Sequence, residues 1–181
     1  IIAKASKDDG SVYSNNGQVV FKEGMVNYRQ LKELYVCLIN PSLKTVKDHL
    51  LIADNDSMSH RSLAIASGDR LWVQNNSSRI LTFFLAGQED SIQVYSPVKP
   101  GERSVIEVKQ EGILELGSDE DEGLITTLFS RTGLINQMHS SGDEYLFEKL
   151  DPGQYKILFW FWRLGFIEKN IIIKAGENIK L

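Results

Sequence analysis

The chain has 181 residues, 42% of them hydrophobic and 24% charged, which is enough for one large domain or two small ones with real cores and speaks against disorder. Its net charge of −4, with Lys and Arg scattered, creates no basic field for polyanions, so neither nucleic acid nor an anionic membrane surface is an expected partner. No apolar run approaches the roughly 18–20 residues that span a bilayer, and a single cysteine excludes an internal disulfide framework or a multi-cysteine metal cage.

The opening Ile1-Ile-Ala-Lys-Ala-Ser6 has small residues two apart, the spacing expected where a targeting segment has been cleaved. From there, short β-like runs recur between Gly, Asn, Asp, Ser and Pro, the pattern of a sandwich or barrel. Strands are predicted at Gln18 to Phe21, Leu34 to Asn40, Leu63 to Ala66, Arg70 to Asn75, Ile80 to Leu85, Ser91 to Tyr95 and Arg103 to Lys109. They continue at Gly112 to Leu116, Leu124 to Phe129, Tyr145 to Glu148, Gln154 to Trp162, Phe166 to Lys174 and Asn178 to Leu181. Helix is confined to Tyr28 to Leu34 and Leu43 to Leu51, two short amphipathic stretches. Asn15-Asn-Gly17, Ser67-Gly-Asp69, Lys99-Pro-Gly101, Ser141-Gly-Asp143, Asp151-Pro-Gly153 and Ala175-Gly-Glu177 supply the turn chemistry between them. An acidic run at Ser118-Asp-Glu-Asp-Glu122 interrupts the pattern, the spacing changes from Ser130 to Ser141, and a module boundary is expected near Thr132.

Two segments carry a family resemblance. Gly68-Asp-Arg-Leu-Trp-Val-Gln-Asn75 resembles the strand that leads into the copper site of cupredoxin-like domains in the secreted methylamine-utilisation-type proteins, where Asn-x-Asp-x-x-x-His follows. Gly112-Ile-Leu-Glu-Leu-Gly-Ser-Asp-Glu-Asp-Glu-Gly-Leu124 resembles their Gly-x-x-x-x-Gly-Cys-x-x-His-x-x-Met loop. Farther on, Ser141-Gly-Asp-Glu-Tyr-Leu-Phe-Glu-Lys-Leu-Asp-Pro-Gly-Gln-Tyr155 is similar to the signature of carboxypeptidase-regulatory-like sandwiches. The resemblance implies an all-β protein: a cupredoxin-like Greek-key β-sandwich over 41–132 and a small transthyretin-like or regulatory-like β-sandwich over 133–181. Strands from 1–40 complete the second sandwich if the first is an insertion, and a 49-residue piece alone would bury little surface.

A blue copper site takes two imidazoles, a thiolate and a weak axial thioether. On this alignment Leu81 stands at the first histidine, Ser118 at the cysteine, Asp121 at the second histidine and Leu124 at the methionine. The glycine frame persists while all four ligands are gone, which implies a scaffold that kept its fold and discarded copper, with no cofactor in its place.

Other chemistry is sparse. Cys37 sits among apolar neighbours in Leu34-Tyr-Val-Cys-Leu-Ile-Asn40 and reads as a buried, inert thiol. The carboxylates of 119–122 offer oxygen ligands for a hard cation such as calcium, yet lack the alternation and liganding carbonyls of a calcium loop and read as a solvated turn. His49 and His60, with Asp54 or Asp56 between them, match no compact metal spacing, and His139 stands alone. There is no Gly-x-Ser-x-Gly elbow and no nominable triad, so no enzyme is expected. In Gln154-Tyr-Lys-Ile-Leu-Phe-Trp-Phe-Trp162 both faces of a strand are apolar toward the end. Phe159, Trp160, Phe161 and Trp162 therefore need a second cover, either the neighbouring module or another chain. The expectation is a non-catalytic periplasmic or extracellular β-sandwich protein that acts as a structural or protein-interaction subunit, with a protein partner or a second copy. The alternatives are a metal-binding or electron-transfer protein with a rebuilt site, and a carbohydrate-binding module that stacks sugars on exposed tryptophans.

Overall fold

A computed structural model of the chain describes residues 31–43, 46–87, 91–140 and 143–175, together with the backbone of a short antiparallel pair, β1 (Val12–Tyr13) and β2 (Val19–Val20). Among the described residues the chain is all β, as its periodicity predicts.

Three sheets are stacked. The outer three-stranded sheet has the order β4 (Asp48–Ala53), β6 (Arg70–Asn75), β9 (Arg103–Glu107). The middle sheet has the order β5 (Ser62–Ala66), β11 (Asp121–Arg131), β10 (Gly112–Ser118), β7 (Phe83–Ala86), β8 (Ile92–Val94). Period-two alternation turns Leu51, Leu71, Val73 and Ile106 of the outer sheet inward against Phe83, Leu85, Leu114, Leu116 and Leu128 of the middle one, forming one closed apolar cluster.

The third sheet, β12 (Leu134–His139), β3 (Leu34–Ile39), β13 (Gly153–Phe161), β14 (Gly165–Ile173), packs on the opposite face of the middle sheet. Tyr35, Cys37, Leu158 and Trp160 from this layer meet Ala64, Ala66 and Phe129. Two hydrogen bonds pin the layers: the Tyr35 hydroxyl donates to the Ser62 carbonyl at 2.8 Å, and Asn136 Nδ2 donates to the Ala64 carbonyl at 2.7 Å. Thr132 and Gly133 form the turn that carries the chain from the middle sheet to the third. Gly133 holds φ at 68° and its carbonyl accepts the Asn40 N–H at 3.0 Å; a Cβ there would run into the Asn40 carbonyl, so the crossing requires glycine.

Several boundaries differ from expectation. The segment predicted helical at Leu43 to Leu51 contains the start of β4: Leu50 is exposed while Leu51 and Ala53 are buried, a period of two that pairs in parallel with β6. Of the helix expected at Tyr28 to Leu34, residues 28–30 lie outside the described ones. Glu33, at φ 58°, leads directly into β3 and leaves no helical backbone there. Tyr145 to Glu148 is not a strand. Tyr145, Phe147 and Leu150 alternate as a strand would, but they lie over the outer face of the third sheet, against Val36, Leu38, Tyr155 and Ile157, rather than along an edge where a ladder could form. Leu81 is not in a continuous strand but in a single bridge to Val98, and β12 forms where no strand was expected. Asn178 to Leu181 lies outside the described residues.

Candidate functional site

The positions that align with copper ligands lie where β7, β10 and β11 approach the loop after β6. Asn75, at the end of β6, is completely buried and organises that loop. Its Nδ2 donates to the Arg79 carbonyl at 2.7 Å and to the Val98 carbonyl at 2.8 Å, while its Oδ1 accepts the Ser77 N–H at 2.9 Å and the Ser77 hydroxyl at 2.7 Å. Arg79 is thereby set at the loop's outer rim. Leu81 follows, its N–H and C=O both bonded to Val98.

Nothing at these positions offers a metal donor set. Leu81 and Leu124 are both fully buried in the main apolar cluster. Ser118 donates its hydroxyl to Glu120 Oε2 at 2.7 Å. Asp121 Oδ2 accepts from Arg79 at 2.8 Å and its Oδ1 accepts the Gly123 N–H at 2.9 Å. Protein groups join the loop after β6 to the β10–β11 hairpin: Arg79 to Asp121, the Thr82 N–H to Glu120 Oε2 at 2.7 Å, and the Asp119 N–H to the Thr82 carbonyl at 3.1 Å. Among the described residues no group of three or more His, Cys, Asp or Glu side chains is placed to hold a metal ion.

The acidic run is thus the tip of a hairpin, with Ser118 opposite Asp121. The Arg79 hydrogen bond, then the Gly123 N–H, hold the Asp121 carboxyl below its usual range. For Glu120 partial burial pushes upward, but the Thr82 N–H and the Ser118 hydroxyl together outweigh it and the net shift is down. A carboxyl whose folded value is depressed contributes stability above its unfolded value, about 4.3 for Glu, and loses it as pH falls through the folded value. The denaturation midpoint is therefore expected to drop as pH falls below about 4. Glu120→Gln, which keeps an acceptor oxygen without the charge, should flatten that drop in part; an identical pH profile in the variant would show Glu120 to be uninvolved.

The histidines are spread over two places. His49 Nε2 lies 2.9 Å from Asp69 Oδ2. Asp69 is itself buried and accepts the Lys47 N–H at 2.8 Å and the Ala66 N–H at 3.1 Å, so this pair ties β4 to the β5–β6 turn. His60 and His139, 79 residues apart, line a cleft of about 400 Å³ with Glu33, Ser59, Met138 and Asp143. Neither spacing nor composition could have brought these two together; the seating of β12 over β5, where Asn136 donates to the Ala64 carbonyl, does. His60 Nδ1 is 3.8 Å from Glu33, and His139 Nε2 is 3.1 Å from Gln137 Oε1. The Ser59 hydroxyl oxygen accepts the Ile52 N–H at 3.0 Å. Cys37 is at the centre of β3, far in sequence from the ligand positions, and burial pushes its thiol strongly up, away from a reactive thiolate.

The aromatic strand is covered twice within the chain. Trp160 is fully buried between Tyr35 and Phe129, ring centroids 5.5 and 5.4 Å away. On the other face Phe159 meets Tyr145 edge-on at 5.6 Å. Phe161 is nearly buried, and Trp162 is half-buried, with the Arg163 guanidinium 5.6 Å from its ring centre.

Fold and site together define an all-β layered sandwich in which Leu81 and Leu124 are core residues and Ser118 and Asp121 are hydrogen-bonded at a hairpin tip. No protein-family model matches the chain, and no curated protein sequence matches it either. Among solved structures it is similar to the novel purple cupredoxin from Nitrosopumilus maritimus, at 14% identity over 45% of this chain and 98% of that one, with a TM-score of 0.40. It is also similar to amicyanin from Paracoccus versutus, at 5% identity over 51% of this chain and 90% of that one, with a TM-score of 0.41.

Proposed function

We propose that this chain is a copper-free, cupredoxin-like protein that serves as a non-catalytic structural or protein-interaction subunit of a periplasmic or extracellular assembly. The observation that carries the reading is the state of the four aligned ligand positions. Two are leucines buried in the core, one is a serine committed to Glu120, and one is an aspartate committed to Arg79. Neither hydrocarbon position can donate to a metal, and the two polar ones are already engaged within the hairpin and its neighbouring loop. The compartment follows from the family resemblance of the two glycine-framed segments. The metal-binding alternative finds no donor cluster among the described residues. The carbohydrate alternative needs an open aromatic platform, whereas Trp160 is internal and the Arg103 guanidinium lies 5.4 Å from the Trp72 ring centre.

Elemental analysis of the purified protein and a copper(II) titration test the reading. The expected result is no stoichiometric metal and no intense blue colour on copper addition; either one in the unmodified protein overturns it. Restoring the ligands through Leu81→His, Ser118→Cys, Asp121→His and Leu124→Met should produce a blue thiolate–copper(II) site if the alignment of both segments is right.

A further inference from the structure

The third sheet ends in a strand built to accept another. Among the described residues β14 has one strand neighbour, β13, with which it pairs over all nine of its residues, and its other edge bears the backbone donors and acceptors that a sheet leaves open. Natural edges are usually short, bulged, or guarded by proline and charge. This one is long, regular in register and apolar at both ends, with Phe166 42%, Ile167 70% and Ile172 62% exposed. Its only charges are central: Glu168, which is bonded to Lys156 Nζ at 2.9 Å, and Lys169, for which no ion pair is recorded among the described residues.

The charges decide which partner fits. Two copies of β14 pairing antiparallel over their full length about a two-fold axis would set Lys169 directly opposite Lys169; moving the axis one residue back sets Glu168 opposite Glu168, and moving it one residue forward sets Asn170 opposite Asn170 but leaves residues 165 and 166 of each copy unpaired. Like charges in that position oppose pairing. A different chain can pair along all nine residues without that conflict and can set an opposite charge at Lys169. We propose that β14 is a strand-addition site for an extended segment of another protein, which presents apolar side chains to Ile167 and Ile171 and a carboxylate to Lys169. This rests on the reading of the chain as an interaction subunit, and supplies the chemistry of its partner.

Because Lys169 is the central residue of β14, the probe peptide Thr-Thr-Val-Thr-Asp-Thr-Val-Thr-Thr places its carboxylate opposite Lys169 in either strand direction. Titrated into the intact protein, it should shift the β14 amide resonances saturably and slow exchange of alternate β14 amides. The same peptide with lysine at its centre should bind about tenfold more weakly, the combined loss of an attraction and gain of a repulsion. Lys169→Glu, a change at an exposed side chain, should reverse that order. No binding, binding indifferent to the central charge, or self-association through β14 seen as a concentration-dependent mass in light scattering would each overturn the proposal. Metal found by elemental analysis would instead remove the copper-free reading and leave the peptide result standing.

Discussion

Trp160→Ala is expected to cost about 3–5 kcal/mol of folding stability, the range for deleting a large aromatic from a packed site, while the molecular mass in light scattering stays unchanged. The side chain is fully buried, held between Tyr35 of its own sheet and Phe129 of the middle sheet, so its removal opens a hole in the layer contact rather than at a surface. Trp160→Phe should cost much less. It preserves most of the ring contact, and it deletes an indole N–H for which no acceptor is recorded among the described residues, which offsets part of the lost packing. Trp162→Ala, at a half-buried ring on the rim of the same cluster, should fall well below Trp160→Ala. Urea midpoints of the three variants, read beside their masses, separate an internal contact from a subunit contact: a smaller species from Trp160→Ala would place that ring between chains and contradict its burial here.

What could be read from sequence follows from where the information lies. β6 matches its predicted limits, Arg70 to Asn75, because turn chemistry bounds its start and strict alternation runs through it. The two-faced strand at Gln154 to Trp162 was legible from period two, and so was its need for a second cover. The identity of the cover was not, because one side is supplied by Phe129 from the middle sheet and the other by Tyr145, Phe147 and Leu150 from a segment whose alternation mimics a strand. β12 escaped notice since Leu134-Ile-Asn-Gln-Met-His139 has only its first residue well buried, as suits an edge strand. At the site, the resemblance singled out Leu81, Ser118, Asp121 and Leu124, two in the core and two at the hairpin tip. The contacts that hold them, Arg79 to Asp121 and Thr82 to Glu120, span 42 and 38 residues and have no local signature.

The loop that carries these contacts depends on Asn75, and Asn75→Ala is expected to cost about 2–3 kcal/mol, since a buried group left without its partner costs roughly 1–3 kcal/mol and two carbonyls lose one bond each besides. The substitution strands the Ser77 N–H and takes one bond each from the Val98 carbonyl, which keeps the Leu81 N–H, and the Arg79 carbonyl, which keeps the Ser77 hydroxyl. Asn75→Asp separates the two halves of the amide's role. A carboxylate still accepts from Ser77, but it faces the Arg79 and Val98 carbonyls with an oxygen where a donor was, in a site closed to water, so it should be at least as damaging as alanine. Ser77→Ala removes only the hydroxyl's contacts and should cost much less. Because Arg79 follows Asn75 in the same loop, loss of the amide should also release Arg79 from Asp121 and speed hydrogen exchange at the Gly123 amide, which Asp121 accepts. Urea midpoints with amide exchange at Gly123 check both halves. An Asn75→Ala variant that loses under about 1 kcal/mol, with Gly123 exchange unchanged, would mean that the core beneath Leu81 and Leu124 holds the loop without this amide.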